Sequence, residues 1–151
     1  MAQRVKEHWS KTPAAHDYPA AFDYLSLVLP PAVAEAIVKE LRQAGVVHRK
    51  AKDLLRASAL PVLASDNVHV AKDLDKVERG VKLSPVLLLR GHLPSGQTLT
   101  VADGYHRICA SYHIDENAEI PCKIADCPPV KAAKPTRTTT KPTKTTKRAA
   151  R

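Results

Sequence analysis

Apolar residues recur along the first part of the chain with the spacing expected of helices. From Ala20 to Leu29 the chain is rich in helix formers and apolar residues, and this run stops at two prolines, which predicts a short helix. The next segment, residues 30–45, opens with those prolines and closes with Gly45, which predicts a second helix. Its apolar stripe consists of Val33, Ile37, Val38 and Leu41.

The middle of the chain predicts two further helices and a short strand. Residues 47–58, VHRKAKDLLRAS, have the pattern of an amphipathic helix, and the apolar run LPVLA at 60–64 predicts an edge strand because it contains a proline. The segment that follows spaces its apolar residues by four and three and ends at Gly80, which predicts a helix over about 68–79. Its candidate N-caps are Ser65, Asp66 and Asn67.

The last part of the domain predicts a strand, a loop, a second strand, a helix and a final strand. These are SPVLLLR (84–90), GHLPSGQ (91–97), TLTVAD (98–103), GYHRICASYHI (104–114) and IPCKIAD (120–126). The pattern predicts an α/β (α+β) domain, in which residues 1–64 form an N-terminal helical part and residues 65–127 form the core.

Length and cysteine usage limit the class of protein. A chain of 151 residues suits one domain. The apolar stretch at 24–38 is interrupted and too short to span a bilayer, and the N-terminus has no apolar signal core. The three cysteines, Cys109, Cys122 and Cys127, form no C-x-x-C pair, which is typical of the reducing cytosol. We expect a cytoplasmic protein with no membrane partner, in which Cys109 and Cys122 pack in the core.

The positive charge is concentrated at the end of the chain. The sequence has 24 Lys and Arg residues against 15 Asp and Glu residues, a net charge of +9. Eight of the basic residues and none of the acidic ones lie in residues 128–151, so residues 1–127 hold 16 basic and 15 acidic residues. The body of the protein is nearly neutral, and the tail makes the chain basic.

The tail, residues 128–151, consists mainly of Lys, Arg, Thr, Pro and Ala, and this composition predicts a disordered segment. An extended cationic chain suits contact with nucleic acid, for which pairing of all eight cations with phosphates on DNA gives a salt-dependence slope of roughly −7. The alternative is a tail that only aids solubility. DNA is the expected partner, with association to the nucleoid. The candidate contacts are Lys131, Lys134, Arg137, Lys141, Lys144, Lys147, Arg148 and Arg151.

A glycine-containing turn, DGYHR at 103–107, lies between the second strand and the last helix. The helix before a P-hydrophobic strand, this turn, and the IPCKI strand after the next helix occur in an order that resembles the ParB/sulfiredoxin-like superfamily over residues 65–126. The G-x-x-R element matches the phosphate-contacting turn of that family. The resemblance implies a nucleotide or phosphate site at Gly104, Tyr105, His106 and Arg107, with CTP or ATP and Mg²⁺ as cofactors.

Elementary chemistry also favours an anion at this turn. A strand-to-helix junction exposes unpaired backbone amides at the positive end of the helix, and Gly104 permits close approach to them. Arg107 can form two charge-assisted hydrogen bonds with a phosphate. His106 can donate one more or move a proton near neutral pH.

Asp103 allows two interpretations of the turn. Its carboxylate either caps the helix of a non-binding domain or holds Mg²⁺ against phosphate oxygens. DGYHR is also similar to the DGHHR turn of ParB-like free-serine kinases, which implies phosphotransfer with Asp103 and His106 as candidate catalytic residues. Asp66 is the candidate general base for such a reaction.

Two departures from the family narrow the function. Tyr105 stands where sulfiredoxins have their catalytic cysteine, so sulfinic-acid repair is not expected. The chain passes from the domain into its tail without the helix-turn-helix of partition proteins, so sequence-specific operator binding is not expected. The leading hypothesis is a nucleotide- or phosphate-binding protein that associates with DNA through its tail. The alternative is a small Mg²⁺-dependent phosphotransferase or nucleotidase.

Overall fold

The structure, a computed structural model, describes residues 6–128, and within them five α-helices and four strands form an α+β fold. The helices are α1 (Asp17–Val28), α2 (Pro31–Gln43), α3 (Ala51–Ser58), α4 (Val68–Glu78) and α5 (Tyr105–Ile114). The strands are β1 (Val47–Lys50), β2 (Val86–Leu89), β3 (Thr100–Asp103) and β4 (Glu119–Ala125), and a 3₁₀ turn at Leu93–Ser95 joins β2 to β3. The eight predicted nucleic-acid contacts of the tail lie outside these described residues.

The strands form one mixed sheet in the order β1-β4-β2-β3. The central pair β2 and β4 is parallel, and both outer strands are antiparallel to their neighbours. Side chains alternate along β2, so that Val86 and Leu88 enter one core with α3, α4 and α5. Leu87 and Leu89 enter a second core with α1 and α2. The domain therefore has three layers, with the sheet in the middle.

The strongly periodic predictions are confirmed. Helices formed at α1, α2, α4 and α5, and strands formed at β2, β3 and β4, where the sequence predicts them. Among the three candidate caps of α4, Asn67 performs the role, because its Oδ1 accepts hydrogen bonds from the amides of His69 and Val70 at 3.0 and 3.3 Å. Cys109 and Cys122 are fully buried in the core, as predicted.

The prediction of one helix over 47–58 is wrong in its first four residues. Val47–Lys50 form β1, which pairs with β4 from Val47↔Cys122 to Lys50↔Glu119, and only Ala51–Ser58 are helical. Polar side chains suit an edge strand as well as a helix surface, and pairing with a strand about seventy residues later leaves no local signal.

The predicted edge strand at 60–64 is also wrong, because no strand forms there. Side chains of α5 hold this segment instead. The Tyr105 hydroxyl donates to the carbonyl of Pro61, and the His113 ring lies 2.6 Å from the carbonyl of Leu63. The carbonyls that a sheet neighbour would need are therefore engaged by side chains.

The segment before α1 crosses the domain as a strap, residues 7–16. Its backbone pairs with Leu83, since Leu83 N donates to His8 O at 2.8 Å and Ser10 N donates to Leu83 O at 2.7 Å. Trp9 packs against the first core. In the part of the chain that the structure describes, no helix is long and apolar enough to cross a bilayer.

Candidate functional site

The turn between β3 and α5 depends on Gly104. Its φ of 108° lies in the left-handed region, which residues with a Cβ rarely adopt. A Cβ at this position would also collide with the side chain of Val86 on β2. Glycine therefore allows the chain to pass directly from the sheet into the helix.

The first turn of α5 has free backbone donors. The amide of Ile108 is the first to reach a helical acceptor, the carbonyl of Gly104 at 3.1 Å, and the amides before it have none within the helix. Within residues 6–128 no side-chain hydrogen bond caps this helix, and Asp103 Oδ2 accepts from Arg107 instead. The interpretation of Asp103 as an N-cap is therefore wrong, and these amides remain at the positive end of the helix dipole.

Asp103 pairs instead with Arg107, one helical turn later. Asp103 Oδ2 lies 2.6 Å from Arg107 Nη2, and Asp17 Oδ2 lies 3.6 Å from Arg107 Nη1. The same guanidinium donates to the carbonyl and hydroxyl oxygens of Ser84. The Arg107 side chain is only 12% exposed. It is held by protein groups rather than extended into solvent.

Asp17 and Asp103 form a carboxyl pair beside this arginine. Both groups approach the Arg107 guanidinium, and Asp17 also accepts from Ala14 N at 2.9 Å and from Ser84 Oγ at 2.7 Å. Burial raises the pKa of Asp103 to about 6, Arg107 opposes this rise, and the charge of Asp17 adds to it. Burial also acts to raise the pKa of Asp17, but the Ser84 hydroxyl, Arg107 and the Ala14 amide hold it below its ordinary value.

A polar cleft of about 350 Å³ opens beside this pair. Its charged lining is balanced, with the carboxylates of Asp17, Asp73 and Asp103 facing the cations of Lys76, Lys82 and Arg107. The strap forms one wall, α4 forms another, and the residues before β2 form the floor. We call this space the polar cleft.

Tyr105 and His106 have side chains outside the lining of the polar cleft. Tyr105 is tethered to Pro61, and the ring of His106 lies 4.6 Å from that of His69. Burial lowers the pKa of His106, and His69 lowers it further while Asp73 opposes the shift. Of the four predicted phosphate contacts, Arg107 lines the cleft, whereas Gly104, Tyr105 and His106 do not.

Several residues of the cleft were not predicted from the sequence. Asp73 and Lys76 lie on one face of α4, at a spacing that would have grouped them. Lys82 lies just before the predicted strand at 84–90, and Ser84 is the first residue of that strand. Asp17 gave no signal, because it lies in a polar stretch near the start of α1. Asp66, the candidate general base, is exposed and is not among the residues that line the cleft.

The residues present do not form a metal site of ordinary composition. Within residues 6–128 there is no group of three or more His, Cys, Asp or Glu residues that could hold a metal ion. Asp103 is already paired with Arg107, so we do not assign it as a metal ligand. The involvement of Mg²⁺ remains a prediction.

Comparisons of the chain with protein-family models, with curated proteins and with solved structures find no match. The resemblance to the ParB/sulfiredoxin-like superfamily therefore remains a prediction, carried by the DGYHR turn and the order of the elements around it.

Proposed function

We propose that the polar cleft binds a nucleotide or another phosphorylated ligand, and that the basic tail associates the protein with DNA without sequence-specific readout. The observation that carries the first part is the convergence of Lys76, Lys82 and Arg107 on the polar cleft, with Arg107 supplied by the first turn of α5. Amides at a helix start and nearby cations are the two features that phosphate sites share. The proposed location is the cytoplasm, in association with the nucleoid.

The three cations have different roles in this proposal. Lys82 is exposed, and no ion pair joins it to a carboxylate within residues 6–128, so its charge is free to meet a ligand. Arg107 is fixed by Ser84 and Asp103, so it presents an oriented positive charge rather than a mobile one. Lys76 shares its charge with Asp73, whose Oδ1 lies 3.8 Å away.

The test is calorimetric titration with inorganic phosphate and with each nucleoside di- and triphosphate, CTP and ATP included, with and without Mg²⁺. We expect Lys82→Ala to weaken binding about tenfold. The matched control is Lys72→Ala, an exposed lysine of α4 that does not line the cleft and should leave binding unchanged. Equal effects of both variants, or no binding of any phosphate compound, would overturn the proposal.

The tail has its own test. Removal of residues 128–151 takes away all eight cations, and we expect the truncated protein to lose salt-sensitive retention on DNA. Retention that does not change on truncation would remove the role of the tail. If the tail only aids solubility, its removal should lower the solubility of the protein without altering retention on DNA.

A second candidate function is phosphotransfer or nucleotide hydrolysis with Mg²⁺. One observation favours it: the carboxyls of Asp17 and Asp103 line the cleft beside one guanidinium. Their different surroundings lower the pKa of Asp17 and raise that of Asp103, which suits an acid and a base. Its test is release or transfer of the terminal phosphate of CTP or ATP in the presence of Mg²⁺. Turnover that Asp17→Asn and Asp103→Asn both abolish would favour this function over binding alone.

A further inference from the structure

We infer that an anion enters the polar cleft together with one proton from solvent, which the Asp17–Asp103 carboxyl pair holds while the anion is bound. The inference rests on the proposed function of the cleft and adds its regulation, because affinity would then depend on pH through a pair of carboxyls rather than through the ligand.

The first argument is the charge around Arg107. One guanidinium faces two carboxylates, at 2.6 Å for Asp103 and 3.6 Å for Asp17. With both carboxylates ionised, this group of three carries a net charge of −1 and repels an anion. With one of them protonated the net charge is zero, and the full positive charge of Lys82 becomes available to the ligand.

The second argument is the sharing of one guanidinium by two carboxyl groups. Asp103 approaches Arg107 through Nη2 and Asp17 approaches it through Nη1, so ionisation of both places two like charges side by side, and one proton relieves their repulsion. Asp17 already accepts from Ala14 N and Ser84 Oγ, and these donors stabilise its ionised form. The proton therefore belongs to Asp103, and burial, which raises its pKa to about 6, acts in the same direction.

Other titratable groups face this pair from each neighbouring element. The strap presents His16, whose Nε2 lies 3.4 Å from Asp17 Oδ1, and α4 presents Asp73 with Lys76. Lys82 approaches from the residues before β2. On α5, His106 lies beside His69 rather than in the cleft. The side chain of His16 is 85% exposed.

The test uses sulfate, whose charge stays constant from about pH 5 to about pH 8, so that any pH dependence belongs to the protein. Calorimetry in two buffers with different ionisation enthalpies gives the number of protons taken up. We expect the Kd for sulfate to rise up to about tenfold for each pH unit above about 6, with uptake approaching one proton near pH 8. Near pH 5 we expect uptake close to zero.

Three variants assign the proton. Asp103→Asn should make the sulfate affinity independent of pH and remove the uptake, because the amide is neutral throughout. His16→Gln should keep the pH dependence of the affinity and the proton uptake. Asp126→Asn is the matched control, because it breaks an exposed Asp–Arg pair with the same 2.6 Å separation outside the cleft, with Arg90. It should also leave both unchanged.

The outcomes separate the inference from the proposed function. Sulfate that binds equally well across this pH range, without proton uptake, would overturn the inference and leave the anion site intact. Loss of the uptake in His16→Gln but not in Asp103→Asn would also overturn it. Absence of binding to sulfate and to phosphate at every pH would overturn both. If Asp103→Asn does not fold, the carboxyl ¹³C shift of Asp103 is followed against pH in the wild type, with and without sulfate. The inference requires sulfate to move the midpoint of this titration to higher pH, and an unchanged midpoint would overturn it.

Discussion

Asp17 begins the first helix and Asp103 ends the third strand, and their carboxyl groups meet beside the single guanidinium of Arg107. Each carboxyl is supported by a different element, so the helix layer and the sheet are joined at this point. The arrangement gives the two acids opposite pKa shifts, and it makes the stability of the fold depend on pH.

The first prediction concerns that pH dependence. The pKa of Asp103 in the folded protein, about 6, lies above its ordinary 3.8, so the carboxyl contributes stability at low pH that is lost as the pH rises to about 6. Asp103→Asn removes this loss. Relative to wild type, the free energy of unfolding of the variant should therefore rise by about 1 to 3 kcal/mol between about pH 4.5 and about pH 7. Urea unfolding at the two pH values measures this change. If the variant differs from wild type by the same free energy of unfolding at both pH values, the raised pKa of Asp103 is contradicted.

The second prediction concerns the turn glycine. Gly104→Ala should destabilise the domain by roughly 2 to 5 kcal/mol, because the added Cβ meets Val86 in a backbone conformation that is already unfavourable. Gly96→Ala is the control: its φ is also positive at 75°, but nothing lies within 4 Å of its Cβ. It should cost only about 1 kcal/mol. Thermal or urea unfolding compares the two variants. Equal losses of unfolding free energy would show that the Val86 side chain moves to accommodate the added Cβ.

The third prediction concerns Glu7 in the strap. Ser111 Oγ donates to its Oε2 at 2.8 Å, but its Oε1 is buried and has no hydrogen-bond partner in the described structure. Burial raises the pKa of Glu7, against the hydrogen bonds from Ser111 and Trp9. The charged form therefore costs stability as the pH rises. Glu7→Gln should stabilise the domain by about 1 kcal/mol at about pH 8 and have little effect at about pH 4.

Unfolding of the Glu7 variant at the two pH values provides the measurement. If the variant loses the same amount of stability at both pH values, the hydrogen bond to Ser111 contributes more to stability than the buried charge costs.

The fourth prediction concerns the start of α4. Asn67→Ala should cost about 1 kcal/mol of stability, because Oδ1 accepts from two amides of the first turn. Ser65→Ala and Asp66→Ala change the neighbouring candidates, which make no such bonds, and each should stay within about 0.5 kcal/mol of wild type. If either control costs as much as Asn67→Ala, the capping role is shared.

The sequence predicts those elements whose pattern lies within a few neighbouring residues. The stripe of α2, the buried run of β2 and the glycine of the turn each carry their signal within a few residues. Lys50 belongs to a strand because β4 lies beside it, and no nearby residue reports that pairing. The same distinction applies to the site. Asp103 and Arg107 are four residues apart, so the sequence can pair them, whereas Asp17 reaches them only through the packing of α1 on β3.

The strap and α1 close the polar cleft through contacts that are remote in sequence. Ser84 and Asp17 are 67 residues apart in sequence, and Ser111 and Glu7 are 104 apart. Contacts of such long range close large loops, and this closure costs conformational entropy. A ligand in the cleft would hold these contacts closed. It should therefore slow amide hydrogen exchange in the strap and the first turn of α1 more than in the sheet.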